Sequence, residues 1–261
     1  MEAFTVFLSA LIAFISPVGT VTDAVLEDAI DAQIHSAEEL EVRVDNRPSH
    51  DLISGRIDRI RIAGRGLYPI PELRVALLEL ETDPVDVRTS RLLNGEVSLQ
   101  RPLQVMAHIV IDVDDINQAL RSPRVTAMLQ DFGISALDNA IGQMQQADLV
   151  SPRLEVLEGN RIRLQGILQE QGTDNELAVD AELGIEVENG HQFSIQDPRL
   201  VTNGVEFPTE ILALVIEGLN QQLTLRALEP SGVTARLITL DISPESLKAI
   251  AFIKVDPSAL P

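Results

Sequence analysis

Leu177-Ala178-Val179-Asp180-Ala181-Glu182-Leu183-Gly184-Ile185-Glu186-Val187, followed by Glu188-Asn189-Gly190, is the stretch that sets the fold class. Apolar residues occupy every second position from Leu177 to Val187, and Ala178, Asp180, Glu182, Gly184, Glu186 and Glu188 fill the positions between them. A period of two places the first set on one face of a strand and the acidic-to-polar set on the other. The run is longer than the usual strand of about five or six residues. Asn189-Gly190 is a strong hairpin signal, because both residues tolerate positive φ, and it returns the chain through Phe193 and Ile195. The two long strands are therefore expected to pair. Strands apolar on one face only must cover something, and helices are the available partners.

The same period recurs outward from this hairpin. Leu40, Val42 and Val44 alternate with charged residues, as do Ile60 and Ile62. Leu73, Val75 and Leu77 share one face and Leu78 and Leu80 the other, a phase slip of the kind a bulge produces. Leu92-Leu93-Asn94-Gly95 reads as a turn into a short strand around Val97 and Leu99. Leu103 to Val113 forms another long strand, Ile162 and Leu164 a further one, and Ala235 to Asp241 the last. Helical spacing appears first after Pro17-Val18-Gly19, where Thr20 or Thr22 caps an amphipathic helix running to about Ala37. It appears again from Asp112-Asp115 through Ile116 and Leu120 to a break at Pro123, in pieces from Met128 to Met144, and after Pro208. The last of these helices, with Ile211, Leu212, Leu214, Val215, Ile216 and Leu219, is too apolar all round for a surface helix and is expected deep in the fold. Ser243-Pro244 starts a tail with a helix at Leu247–Ile253. The predicted fold is α+β, with a long, strongly curved antiparallel sheet wrapped around apolar helices.

The chain has 261 residues, no Cys, and only Phe 7 and Tyr 1 as aromatics, so its core is built from Leu, Ile and Val. Twenty Lys and Arg against forty Asp and Glu give a net charge of −20. That balance repels phosphate backbones, excludes nucleic acid as a partner, and disfavours an electrostatic grip on anionic lipid. Absent Cys removes thiol catalysis and thiolate metal sites. Ala3 to Ile15 carries no charge but is shorter than the roughly 20 residues of a spanning helix. Glu2 stands where an export signal has a basic residue, and no A-x-A site follows. A membrane-surface segment, an atypical export signal and a helix buried in the protein's own apolar cavity all fit. The expected organisation is an apolar segment at 1–17, one domain at 18–243 and a tail at 244–261.

His35, His50, His108 and His191 are scattered, and none forms H-x-x-x-H. His108 and Asp112 share a strand face but lack a third metal ligand, so no metal is expected. Asp112-Val113-Asp114-Asp115 lacks the Gly and terminal Glu of a calcium loop, and helix capping explains it. Gly64-Arg65-Gly66 has neither the third Gly nor the helix of a dinucleotide site and reads as a turn between strands. Without a G-x-S-x-G elbow or any visible nucleophile and base pair, no enzymatic activity and no cofactor are expected.

One stretch, Gly55-Arg56-Ile57-Asp58-Arg59-Ile60-Arg61-Ile62-Ala63-Gly64-Arg65-Gly66-Leu67, resembles the LmeA-like phospholipid-binding family. The Leu92-Leu93-Asn94-Gly95 turn, the strand into Asp112, the Asp115-Ile116-Asn117-Gln118-Ala119-Leu120 helix start and Asn203-Gly204-Val205-Glu206-Phe207-Pro208 follow the family's order. The resemblance covers about Val18 to Asp241 and is greatest to cyanobacterial members. It implies a fold like the tubular lipid-binding superfamily, an apolar tunnel, and a non-enzymatic role in binding, and by extension transferring, phospholipid or glycolipid. It also implies the cell envelope, membrane-associated or periplasmic, with the cytoplasmic face as the alternative, and a membrane surface as partner. The competing reading is a structural domain in envelope assembly, without lipid cargo. No catalytic motif carries over, so the candidates for acyl contact are apolar positions on the two matching helices: Val21, Val25, Leu26 and Ile30, then Ile211, Leu214, Val215 and Leu219. Arg61 and Arg65 are candidates for the lipid headgroup, since guanidinium binds phosphate bidentately. The same arginines also suit cross-strand pairing with acidic neighbours.

Overall fold

The computed structural model describes residues 35–45, 56–86, 99–127, 147–170 and 176–259. The predicted helix from Thr20 to Ala37, with Val21, Val25, Leu26 and Ile30, lies almost wholly outside these residues. So do the Leu92–Gly95 turn and the pieces from Met128 to Met144.

In chain order the strands begin with β1 (Ser36–Asp45), β2 (Arg56–Ile57), β3 (Arg59–Ile70), β4 (Leu73–Thr82), β5 (Val85–Asp86) and β6 (Leu103–Asp112). Helix α1 (Val113–Ala119) follows, then β7 (Ala147–Leu157), β8 (Arg161–Glu170), β9 (Glu176–Glu188), β10 (Gln192–Thr202) and β11 (Val205–Glu206). Helix α2 (Thr209–Gln222), a 3₁₀ turn at Leu225–Ser231, β12 (Val233–Ile242) and β13 (Ser246–Val255) complete the order, with a last 3₁₀ turn at Pro257–Ala259. The chain divides into two compact units, one from Asp112–Thr224 with Asp241–Leu247, the other from Glu2–Ile111, Leu225–Leu240 and Lys248–Pro261.

The second of these units is organised by a sheet of order β1-β3-β4-β6-β13-β12, beside the small pair β2-β5. β1, β3, β4 and β6 pair antiparallel in turn, with Val42 opposite Ile62, Ile62 opposite Leu80 and Leu80 opposite Ala107. These apolar positions form the buried face, while Arg61, Glu81 and Met106 alternate onto the other. Ile57, Leu67, Leu99, Val105, Ile253 and Val255 are among its most completely buried side chains. Burying each such group stabilises by about 1.5–3 kcal/mol.

Two predicted details change here. Gly64 and Gly66 lie inside β3 rather than in a turn. Gly66 adopts φ 56°, which a side chain would strain, and after it the buried phase shifts from even positions to Leu67. Gly64 leaves room for that Leu67, whose Cδ1 would stand 2.7 Å from an added Cβ. The phase slip expected within β4 is present, since Val75 is buried and then Leu78 and Leu80. The tail segment Leu247–Ile253 is strand, not helix. Ala251, Ile253 and Val255 are buried at alternate positions between β6 and β12, so a place in the sheet interior overrides an apolar run that reads equally well as helix.

The unit containing Asp112–Thr224 is built on a sheet of order β11-β10-β9-β8-β7. The expected β9–β10 hairpin forms at Asn189 and Gly190, with φ 52° and 68°. The predicted single, strongly curved sheet wrapped around helices, and with it the tubular architecture, is not what the strands build. Among the described residues they divide among three sheets, and none closes. α1 packs chiefly on β7 and α2 on β10, so the helices stand at the two sides of the five-stranded sheet instead of inside it. A period of two fixes which residues share a face; it does not fix which strands share a sheet.

Candidate functional site

The five-stranded sheet has two chemically opposite faces. Register places Ile162 opposite Leu183, Leu164 opposite Ala181 and Leu168 opposite Leu177, and on the other side of β9 it places Phe193 opposite Val187 and Ile195 opposite Ile185. β7 adds Leu149, Leu154 and Val156 to the same face. Irregularities at Val150/Arg153 and Gln196/Arg199 allow β7 and β10 to keep their aliphatic residues in phase on both sides of the break. The reverse face carries Arg163, Gln165, Asp180 and Glu182.

That reverse face is an ion-pair cluster. Arg163 Nε donates to Asp180 Oδ1 at 2.8 Å, its Nη2 donates to Oδ2, and Gln165 Nε2 donates to Oδ2 at 3.0 Å. Glu182 Oε1 lies 3.6 Å from Arg163 Nε. The hydrogen bonds from Arg163, opposed by partial desolvation and reinforced by Gln165, hold the Asp180 carboxyl below its ordinary value and raise the guanidinium in return.

The aliphatic face is unusual in its burial. Ile162, Leu164 and Leu168 of β8 and Leu177, Val179, Ala181, Leu183, Ile185 and Val187 of β9 are all half-buried. A sheet under a full packing layer buries its central strands most completely, yet here Val156 on the outermost strand is buried and the central strands are not. Among the described residues, no element packs chiefly on this half-buried aliphatic surface between α1 and α2, whose main packing lies on the outer strands.

Each of these helices is fixed to a strand edge by an asparagine. On α1, Asn117 Nδ2 donates to Leu154 O at 2.9 Å and its Oδ1 accepts from Leu154 N at 2.8 Å, reproducing the bonds of a neighbouring strand. On α2, Asn220 Oδ1 accepts from Ile195 N at 2.9 Å, and Phe193 N donates to Leu223 O at 2.9 Å. The first N–H of α1, on Val113, donates to Glu245 O at 3.0 Å, and Asp112 at the N-cap makes no side-chain cap bond, so the capping expected of this aspartate is not made.

The nominated residues of α2 separate. Val215 is buried, Ile211 and Leu219 are half-buried, and Leu214 is 65% exposed. The helix is therefore amphipathic and lies at the surface, not deep as its composition suggested; its apolar residues exceed what one contact face with β10 can cover. Arg61 and Arg65 sit on β3 in cross-strand ion pairs, Arg61 with Asp45 at 2.8 Å and Glu81 at 3.1 Å, Arg65 with Glu39 at 3.0 Å. His108 Nδ1 lies 2.9 Å from Glu79 Oε2, and among the described residues no group of His, Asp and Glu could hold a metal. The β9 alternation was readable in the sequence but was not nominated as a binding surface, because what covers a strand face is decided by elements distant in sequence.

The model of the LmeA-like phospholipid-binding family matches residues 15–251. The chain belongs to this family. No curated protein and no solved structure matches it. As an LmeA-like protein it is a lipid-binding chain, and the family points to association with the cell envelope. Among the described residues of this LmeA-like protein, no helix is long and apolar enough to cross a membrane.

Proposed function

We propose that this LmeA-like protein shields the acyl chains of a phospholipid against the aliphatic face of the β7–β10 sheet. The observation that carries the reading is the half-buried state of every apolar residue on β8 and β9 that faces this side. A groove lined by aliphatic side chains without fixed polar groups accepts alkyl chains of varied length, and each buried methylene contributes about 0.8 kcal/mol. Ile211, Val215 and Leu219 on the packed side of α2 border the chain, and the exposed Leu214 meets the bilayer during loading. On the other unit, and independently of the sheet that holds the acyl chains, Arg61 and Arg65 offer guanidinium groups that a phosphate takes up by displacing their exposed carboxylate partners. With a net charge of −20, contact with a membrane rests on apolar side chains rather than on attraction to anionic lipid. The working place is the envelope, where the protein carries phospholipid between membrane surfaces.

Native mass spectrometry of the protein from its own host, followed by lipid extraction, tests the reading directly. A stoichiometric phospholipid is the expected result. Ala181→Asp puts a carboxylate in the middle of the aliphatic face and is expected to lower uptake of labelled lipid from vesicles at least tenfold, with the far-ultraviolet dichroism unchanged. A lipid-free protein that also takes up no labelled lipid would overturn the proposal and favour a structural domain in envelope assembly.

A further inference from the structure

The two large sheets have four outer edges, and they differ in how they are guarded. Unpaired strand edges invite pairing with other chains, and proteins blunt them with charge, bulges or covering elements. β7 is closed by Asn117 at Leu154. β10 is covered by Asn220 and Leu223 along Phe193–Ile195 and by β11 at Val201 and Thr202. β1 is studded with Glu38, Glu39, Glu41, Arg43 and Asp45. Among the described residues β12, the last strand of the six-stranded sheet, is guarded least: its only charges are Arg236 and Asp241, and the only side-chain cap on its backbone is Arg236 Nη1, which donates to Ala235 O at 2.7 Å. Its sequence VTARLITLDI is rich in β-branched and aliphatic residues, contains no Pro, Gly or Lys, and among the described residues no strand pairs with its outer side. Ile238, near its middle, is 58% exposed.

We infer that β12 is a self-association edge, and that a second copy of this chain pairs with it antiparallel about a two-fold axis near Ile238. The choice of a second copy follows from charge and symmetry. β12 bears one Arg and one Asp, so it is locally neutral, and Arg236 is already engaged with Glu229 at 3.2 Å. A neutral strand meets its own copy without local repulsion, whereas β1, with four carboxylates and one Arg, would repel another acidic edge. Antiparallel pairing of a strand with itself is isologous and closes at two chains, which sets Ile238 beside its counterpart and joins two six-stranded sheets into one. A single pair of edge strands buries less than a standard interface of about 1,600 Å², so the dimer is weak and reversible. Two bodies each carrying −20 also repel at long range, so association tightens as salt screens that repulsion.

Sedimentation velocity over a concentration series, at about 0.02 M and about 0.5 M salt, reads the equilibrium. The expected result is a monomer–dimer equilibrium that tightens several-fold at the higher salt. Ile238→Lys is expected to weaken the dimer at least tenfold even though it removes one unit of net repulsion, and Ile238→Val to retain it. Because Ile238 is exposed, thermal unfolding of both variants should match the parent, which separates a lost interface from a lost fold. Amide hydrogen exchange in β12 should slow in the concentrated sample and not in the dilute one. A protein that stays monomeric at both salts overturns the inference. So does a dimer that persists in Ile238→Lys or forms without protecting β12.

Discussion

At the scale of single residues, the aliphatic sheet depends on two amides. Asn117 and Asn220 each sit on the apolar stripe of a helix, where an aliphatic residue would fill the space better, and each instead satisfies backbone groups of an outer strand. Removing such a side chain leaves the strand's N–H or C=O without its partner, and the cost is set by desolvation rather than by the modest net worth of the bond. Asn117→Ala, which strips both groups of Leu154, is expected to cost about 2 kcal/mol and Asn220→Ala about 1 kcal/mol in urea unfolding. Hydrogen exchange should quicken at the amides of Leu154 and Ile195 respectively. Equal protection in parent and variants would show that the helices are held by apolar contact alone. Neither position was singled out from the sequence, although each is an amide among the apolar residues of its helix. Their strand partners were not legible, because Asn117 and Leu154 are 37 residues apart and Ile195 and Asn220 25 residues apart, and nothing local encodes such a pairing.

At the scale of elements, α2 shows what periodicity does and does not specify. Its position after Pro208 and its helical spacing were readable, but its composition overstated its burial, since only Leu212 and Val215 are buried while Ala213 and Leu214 are exposed. Leu214 and Val215 are adjacent in sequence and opposite in consequence. Leu214→Asp, at a site 65% exposed, is expected to change stability by less than about 0.5 kcal/mol, while Val215→Asp, at a site 5% exposed, buries an unpaired carboxylate and should cost about 3 kcal/mol or more. On the proposed division of roles, Leu214→Asp keeps the lipid already held but slows its acquisition from vesicles. A stability loss at Leu214 comparable to that at Val215 would place both residues in the core. The strands divide in the same way. β9 and the Asn189-Gly190 turn were legible because alternation and turn chemistry are local. β13 was not, because Leu247-Lys248-Ala249-Ile250-Ala251-Phe252-Ile253 satisfies either period and only its neighbours β6 and β12 decide.

At the scale of the whole molecule, the excess of acid sets how stability responds to pH, and two opposing terms give the response a maximum. Above the isoelectric point, near pH 4.4, a compact body of charge −20 repels itself more than the expanded chain does, so protons are taken up more readily by the folded state and stability rises as pH falls toward that value. Below it the carboxylates held in pairs dominate. Glu38, gripped by the Arg74 guanidinium through bonds of 2.9 and 3.1 Å, and Asp180, gripped by Arg163, both titrate below their ordinary values of 4.5 and 3.8. A carboxylate depressed on folding stabilises fully above its unfolded pKa, and that contribution is lost as pH falls through the folded one. Urea midpoints should therefore climb from pH 7 to about pH 5 and fall away below about pH 4. Asp180→Asn should be less stable than the parent at pH 7, with the gap closing in the acid range as the parent's own Asp180 becomes protonated. A gap that stays constant down to about pH 2 would mean that the Arg163–Asp180 pair contributes geometry to the sheet without contributing charge.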